Sequence, residues 1–186
     1  MLTQNMMKEK NRNRVKREEA GMSKVSYLTA TGFMAALIMI MTAYICHVPV
    51  GVNGGYLHFG DAIIYLAAVL LPRPYALAAA AIGGGMADLL TAPMWAPATI
   101  IIKMLIVLPF SSKSTKIVTP RNVFATAAAY MISGLGYFAA EYILFGTGSV
   151  LLVSMSQSLI QSGGSAILFM VLGTALDKVH IKKRLM

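Results

Sequence analysis

The sequence has few cysteines and few charges. Cys46 is the single cysteine, so no internal disulfide can form. Charged residues make up 12% of the 186 residues and hydrophobic residues 57%, whereas an ordinary soluble domain carries about 25% charged residues. A soluble chain of this length cannot bury so much apolar surface. The composition therefore predicts a single-domain membrane protein whose outer faces contact lipid.

The motifs of stand-alone enzymes are also missing. The sequence contains no H-E-x-x-H, no G-x-S-x-G and no Walker lysine loop. The histidines at 47, 58 and 180 do not form a metal set, because His180 lies in the C-terminal tail. We therefore expect no catalytic activity, no metal and no cofactor, and any ATP-driven work needs a partner protein. No internal repeat is visible, which argues against an inverted-repeat transporter.

What the sequence does contain is a series of apolar segments separated by turn-rich or basic loops. The predicted segments run over residues 25–48, 58–71, 75–91, 98–110, 122–145 and 149–176. The second, third and fourth are shorter than the roughly 20 residues of a simple span. Short segments can still cross where they lie in the bundle interior or where the bilayer thins. The pattern predicts an all-α integral membrane protein with six transmembrane helices.

The basic residues predict the orientation of these helices. With the N-terminus inside, 15 of the 16 lysines and arginines fall on the cytoplasmic side and none in an outer loop. Both termini are then cytoplasmic, and the net charge of +9 reflects membrane topology rather than nucleic-acid binding. We expect a basic, disordered tail over residues 1–24, a membrane domain over 25–176 and a second basic tail over 177–186.

Four ionisable residues lie inside the predicted spans: Asp61, Asp88, Lys103 and Glu141. Charges within a membrane are costly, and for that reason they are candidates for function. At a rise of about 1.5 Å per residue, all four fall within roughly 10 Å of the outer interface. The inner half of the spans holds no charge. This asymmetry predicts a polar cavity that opens to the outside.

Other polar and aromatic side chains are predicted at the same depth. These further candidates for ligand binding are Asn53, Tyr56, His58, Trp95, Tyr137, Gln157 and Gln161. Tyr137 shares a helix face with Glu141, and the two glutamines are also four residues apart. A cavity with aromatic walls and a few polar anchors is typical of a small-molecule site.

Each candidate also has a purely structural interpretation. Asp61 can cap the start of the second helix, and Asp88 can form an ion pair with Lys103 between adjacent helices. Glu141 can face lipid headgroups. The aromatic residues can belong to an interfacial belt, and the two glutamines can hydrogen-bond between helices. The cluster favours a functional site more strongly than any one member does.

Small residues mark one side of the first helix. Gly32 and Ala36 are four residues apart, and Thr31 and Ala35 form a second such pair beside them. Surfaces of this kind let another helix approach closely. They predict either internal packing or a docking face for a partner protein.

Four stretches of the sequence carry a resemblance to a known family. They are GYLHFGDA at 55–62, LAA at 66–68, ADLL at 87–90 and APATIIIK at 96–103. With these stretches, the chain resembles the substrate-binding S-components of energy-coupling factor (ECF) transporters over residues 25–176. It looks closest to the branch that takes up hydroxymethylpyrimidine and pyridoxine.

The resemblance implies a function and a set of partners. S-components sit in the prokaryotic plasma membrane, bind a vitamin near the outer face and deliver it inward with a T-component and two ATPase subunits. The small face of helix one, with Gly32 and Ala36, would meet the T-component. The loop 49–55 would close over the ligand. By position in the family, the ligand contacts map onto Asn53, Tyr56, Lys103, Tyr137, Glu141 and Gln161.

Two other functions compete with this reading. A self-sufficient secondary transporter or channel could use Asp61, Asp88 and Glu141 as cation sites. The lack of a repeat and of charge in the inner half counts against it. A membrane-embedded enzyme or assembly factor would need reactive groups, and no pairing of a nucleophile with a base is visible in the sequence.

Overall fold

A computed structural model describes residues 2–45, 48–49, 56–146 and 151–182. The described residues form six α-helices: α1 (Leu2–Ala43), α2 (Gly60–Leu70), α3 (Arg73–Thr91), α4 (Ala96–Val107), α5 (Pro120–Phe145) and α6 (Leu151–Lys178). Two short antiparallel strands, β1 (Val48–Pro49) and β2 (Tyr56–Leu57), pair between α1 and α2. A single 3₁₀ turn, Pro93–Trp95, leads from α3 into α4.

Three of these helices are long and apolar enough to cross a membrane. They contain the segments Lys24–Ala43, Pro120–Phe145 and Ser154–Lys178. Their outward faces carry large apolar side chains, such as Phe124 and Ile143 on α5 with 77% and 81% of their surface exposed. Such faces need lipid around them. The chain is an all-α integral membrane protein, as the composition predicts.

Helix α1 extends further than its apolar segment. The structure continues this helix back to Leu2, through the residues for which the sequence predicts a disordered tail. Residues 2–24 are rich in lysine, arginine, glutamate and methionine and contain no proline. These residue types favour a helix intrinsically, which explains why no break occurs at residue 24.

Helix α2 lies at the centre of the bundle. Every residue from Gly60 to Val69 is buried, so this short helix is in the interior, where a short apolar segment can be accommodated. At the midpoint of α2, the Tyr65 ring stacks on Phe110 at 4.9 Å between centroids and meets Phe169 edge-on at 6.0 Å. This aromatic group packs beneath the polar cluster described below.

Glycines in α3 allow two neighbouring helices to approach closely. A Cβ at Gly83 would lie 2.7 Å from the carbonyl oxygen of Ala35 on α1, and one at Gly84 would lie 2.9 Å from Cγ of Lys103 on α4. Both separations are far shorter than van der Waals contact. The glycine run therefore serves internal packing, and Gly84 makes room for the Lys103 side chain.

Hydrogen bonds fix the connection between α4 and α5, at the end of the bundle where α4 and α6 finish. Both side-chain oxygens of Asp177, near the end of α6, accept from backbone amides, of Ile117 at 2.8 Å and Val118 at 3.0 Å. The buried Asn122 side chain accepts from the Ser111 amide at 3.0 Å and donates to the Ile117 carbonyl at 3.0 Å. The connection 108–119 is thus joined to α6 as well as to α5.

Candidate ligand-binding site

A buried ion pair forms the centre of the polar cluster. Nζ of Lys103 on α4 lies 2.6 Å from Oδ1 of Asp61 on α2, and the two side chains are 1% and 0% exposed. The second oxygen of Asp61, Oδ2, accepts a hydrogen bond of 3.0 Å from Nε2 of Gln161 on α6. One carboxylate therefore joins α2 to both α4 and α6. Removing either member of such a pair leaves an uncompensated buried charge.

This geometry corrects two structural interpretations of the sequence. The structure shows an ion pair of Lys103 with Asp61, whereas the structural interpretation of the sequence pairs Lys103 with Asp88. Asp61 lies in the first turn of α2, but its carboxylate is bonded to Lys103 and Gln161 rather than capping the helix. The physical reason is the central position of α2, which places Asp61 between α4 and α6.

A second chain of hydrogen bonds runs beside the ion pair. The hydroxyl of Thr99, one turn before Lys103 on α4, donates to the carboxylate of Asp88 on α3. The same Thr99 oxygen lies 3.1 Å from the hydroxyl of Tyr137 on α5. The Tyr137 ring centroid in turn lies 5.5 Å from the Lys103 ammonium, within the range of a cation–π contact. The two polar groups are thus neighbours.

Aromatic rings cover one side of this cluster. Trp95 is 7% exposed, and its ring meets Tyr137 edge-on at 6.2 Å and Phe145 at 6.1 Å between centroids. Among the residues that the structure describes, the Trp95 indole N–H finds no hydrogen-bond partner. A buried ring does not fit an interfacial belt, whereas Tyr142, at 57% exposure, does.

The remaining candidates lie around the cluster. Glu141, one turn beyond Tyr137, accepts a hydrogen bond from the Ser154 hydroxyl of α6. Gln157 is half-buried on α6. His58 is buried, and its Nδ1 accepts from the Gly60 amide at 3.0 Å. Asn53 lies outside the described residues, and of Tyr56 only the backbone, in β2, is described.

The structure therefore brings together side chains from five helices. Within the described residues no group of three histidine, cysteine, aspartate or glutamate side chains could hold a metal ion. What the cluster offers instead is hydrogen-bond donors, acceptors and aromatic faces. That combination suits the recognition of a small organic molecule.

Two residues of the polar cluster, Thr99 and Ser154, are not among the candidates from the sequence. Thr99 lies four residues before Lys103, so the two share a helix face. Ser154 is the first of several buried serines on α6, followed by Ser158, Ser162 and Ser165. Their spacing of three and four residues was a signal that α6 presents a polar face to the interior.

The two small pairs on α1 face in different directions. Thr31 and Ala35 are each 6% exposed, and Ala35 faces Gly83 of α3. Gly32 and Ala36 are exposed, with open space where a Cβ of Gly32 would lie. Thr31 and Ala35 are therefore buried within the protein, and α3 covers Ala35. Only Gly32 and Ala36 remain as candidates for a partner contact.

Comparison with known proteins gives the family. The family model of the ECF-type riboflavin transporter S component matches residues 22–178. The chain belongs to this family. As an ECF S component it is a membrane-embedded, substrate-binding subunit of a transporter, a class that does not include enzymes. The branch for hydroxymethylpyrimidine and pyridoxine, to which the sequence looks closest, is not confirmed by this match.

The S component is also similar to a curated protein. It is 33% identical over 111 residues to that relative, an uncharacterised protein in the gap 3′ region of Pyrococcus woesei. The match covers 58% of this chain and 74% of the relative. The name of that protein carries no substrate, so the relationship adds no information about the ligand.

Proposed function

We propose that this S component captures a neutral, planar vitamin of the riboflavin type at the outer face of a prokaryotic plasma membrane. A T-component and two ATPase subunits then drive its delivery inward. The proposal rests on one observation: the Asp61 carboxylate bonds to Lys103 and Gln161. This group lies beside the aromatic rings of Tyr137 and Trp95. Polar anchors next to aromatic faces suit a flat, hydrogen-bonding heterocycle.

The charge of the cluster favours a neutral ligand. Asp61 and Asp88 supply two carboxylates, while Lys103 is the one ammonium among the described residues that surround them. Glu141 adds a further carboxyl group nearer to the outer end. In a medium of low dielectric constant, this excess of acidic groups repels an anion. A free vitamin is therefore a better ligand than its phosphate ester.

The positive-inside pattern supports the proposed orientation, with six spans and both termini in the cytoplasm. Gly32 and Ala36 are the proposed contact with the T-component, because they are small and exposed on α1. Close helix approach in a membrane requires such side chains. The loop 49–55, proposed to cover the ligand, lies mostly outside the described residues.

A ligand screen on purified protein tests this function. Mass spectrometry of the co-purified small molecule comes first, followed by titration with riboflavin, flavin mononucleotide, pyridoxine and hydroxymethylpyrimidine. We expect riboflavin to bind at least about tenfold more tightly than flavin mononucleotide, a difference of roughly 1.4 kcal/mol. If pyridoxine or hydroxymethylpyrimidine binds more tightly than riboflavin, that compound is the ligand and the riboflavin assignment is wrong. Tight binding of the phosphate ester would contradict the charge argument.

A further inference from the structure

The Tyr137 side chain is held by three neighbours on different sides. The Lys103 ammonium lies 5.5 Å from its ring centroid, the Trp95 ring meets it at 6.2 Å, and the Thr99 hydroxyl lies 3.1 Å from its oxygen. A ring with these contacts has little freedom to rotate. The direction of its hydroxyl bond therefore depends on Thr99.

The proton count of Thr99 determines that direction. A threonine hydroxyl has one proton to donate and can also accept. Thr99 donates its proton to the carboxylate of Asp88, which is an acceptor only. Towards Tyr137 the Thr99 oxygen can then act only as an acceptor. The Tyr137 hydroxyl must donate to Thr99, and its own oxygen is left with acceptor capacity alone.

Trp95 supplies the complementary group. Its side chain is more than nine-tenths buried, and its indole N–H has no hydrogen-bond partner among the described residues. An unmade hydrogen bond at a buried donor costs free energy, so such groups normally meet a water molecule or a ligand. Trp95 and Tyr137, whose ring centroids lie 6.2 Å apart, thus offer one open donor and one open acceptor.

We propose that Tyr137 and Trp95 recognise the edge of a planar ligand in which an N–H group adjoins a carbonyl, as in a lactam or an imide. Asp88 and Thr99 are positioning residues that make Tyr137 an acceptor. The ligand N–H donates to the Tyr137 oxygen, and the ligand carbonyl accepts from the Trp95 indole. This inference rests on the proposed function and specifies which face of the heterocycle the site selects.

Binding of two matched probes tests the recognition. Riboflavin has an imide N–H between two carbonyls, and 3-methylriboflavin has a methyl group on that nitrogen and is otherwise the same. A site built around a hydrogen bond to a ligand N–H rejects an analogue that lacks it. We expect the wild-type protein to bind riboflavin at least about tenfold more tightly than the methyl derivative.

The variants separate the roles of the individual residues. Tyr137→Phe and Thr99→Val should each bring the ratio of the two dissociation constants close to one, because the fixed acceptor is lost. Trp95→Phe should weaken both probes equally, since both retain the carbonyls. Tyr142→Phe, an exposed tyrosine on the same helix, is the control and should leave the ratio unchanged. Riboflavin binding with an unchanged ratio in Tyr137→Phe would overturn the inference while leaving the proposed function in place.

A second measurement on ligand-free protein tests the direction of the hydrogen bond. In ultraviolet resonance Raman spectra, the tyrosine doublet reports whether the hydroxyl donates or accepts. The difference between wild type and Tyr137→Phe should show a donating hydroxyl. The same difference in a Thr99→Val background should not. An accepting Tyr137 hydroxyl in the wild-type protein would overturn the inference, and failure of both probes to bind would instead reject the riboflavin assignment itself.

Discussion

Asp61 is the residue on which the described cluster depends most. Each of its two carboxylate oxygens bonds to a different helix, through Lys103 and Gln161. The residue itself is completely buried. A charge in this environment is tolerated only because an opposite charge and a further donor accompany it. The effect of changing one partner therefore depends on what is done to the other.

The first prediction concerns the Lys103–Asp61 pair. Lys103→Met should lower the free energy of unfolding by about 3–5 kcal/mol, because the Asp61 carboxylate is left buried without a counter-charge. The double variant with Asp61→Asn should recover most of that loss, since no buried charge remains unpaired. Unfolding in mixed detergent micelles, followed by circular dichroism, measures both.

The matched control is Lys103→Met with Asp88→Asn. It should not recover stability, because Asp61 stays unpaired. Riboflavin titration of the stable Lys103→Met, Asp61→Asn protein then asks whether the pair has a second role. We expect binding at least about tenfold weaker than in the wild type. Full recovery of binding would restrict Lys103 and Asp61 to holding the helices together.

The sequence could indicate the membership of this cluster but not its pairing. Positive-inside topology and helical rise predict that the four intramembrane charges lie at one depth. In the structure, contacts connect three of them, Asp61, Lys103 and Asp88. The choice between Asp61 and Asp88 as the partner of Lys103 depended on which helix is central. That is a property of the packing of α2, which spacing along one chain does not contain.

At the scale of the elements, α3 packs closely against α1. Gly83 lies against both the backbone and Ile38 of α1. A methyl group there must push α1 away, because the nearest atoms belong to a backbone carbonyl and a β-branched side chain. Any side chain at position 83 should therefore destabilise the packing of α1 against α3.

The second prediction follows from this contact. Gly83→Ala should destabilise the protein by about 1–3 kcal/mol, the usual range for overpacking. Gly32→Ala is the matched control on α1, where nothing lies within 4 Å of the added Cβ, and it should leave stability unchanged or raise it by up to about 1 kcal/mol, because alanine has the higher helix propensity. Thermal unfolding in detergent compares the two. Equal melting temperatures would show that α1 and α3 can separate without cost.

The third prediction concerns the exposed small pair of α1. Gly32→Leu with Ala36→Leu should abolish riboflavin uptake by cells while leaving riboflavin binding by the purified protein unchanged, because larger side chains keep the T-component at a distance. Gly163→Leu is the control, since Gly163 is an exposed glycine of α6 with open space around it. Normal uptake in the double variant would place the docking surface elsewhere.

Helix types and approximate limits were accessible from the sequence, but the use of each small residue was not. The pairs at 31 and 35 and at 32 and 36 look alike in sequence. Only the folded structure shows that the first pair is buried and the second exposed. Residues 2–24 also differ from the predicted disordered tail, because their residue types favour a helix despite the high charge of the segment.

For the whole molecule, the fourth prediction concerns topology. In a Cys46→Ser background, single cysteines at Asn53 or Thr147 should react with a membrane-impermeant maleimide added to intact cells. A cysteine at Thr115 should react only after the cells are opened, because the basic segment around it is proposed to be cytoplasmic. Labelling of position 115 in intact cells would reject the six-span orientation.

The bonds of Asp177 have a mechanical consequence for the molecule. Asp61 connects α4 to α6 near one end of the bundle, and Asp177 connects the segment after α4 to α6 near the other. Bonds near both ends of the bundle resist sliding of the helices past one another. If transport requires the subunit to tip within its complex, the described helices would turn together as a stiff lever. A small rotation at the proposed contact on α1 would then move the far end of the bundle by a distance that grows with the length of the helices.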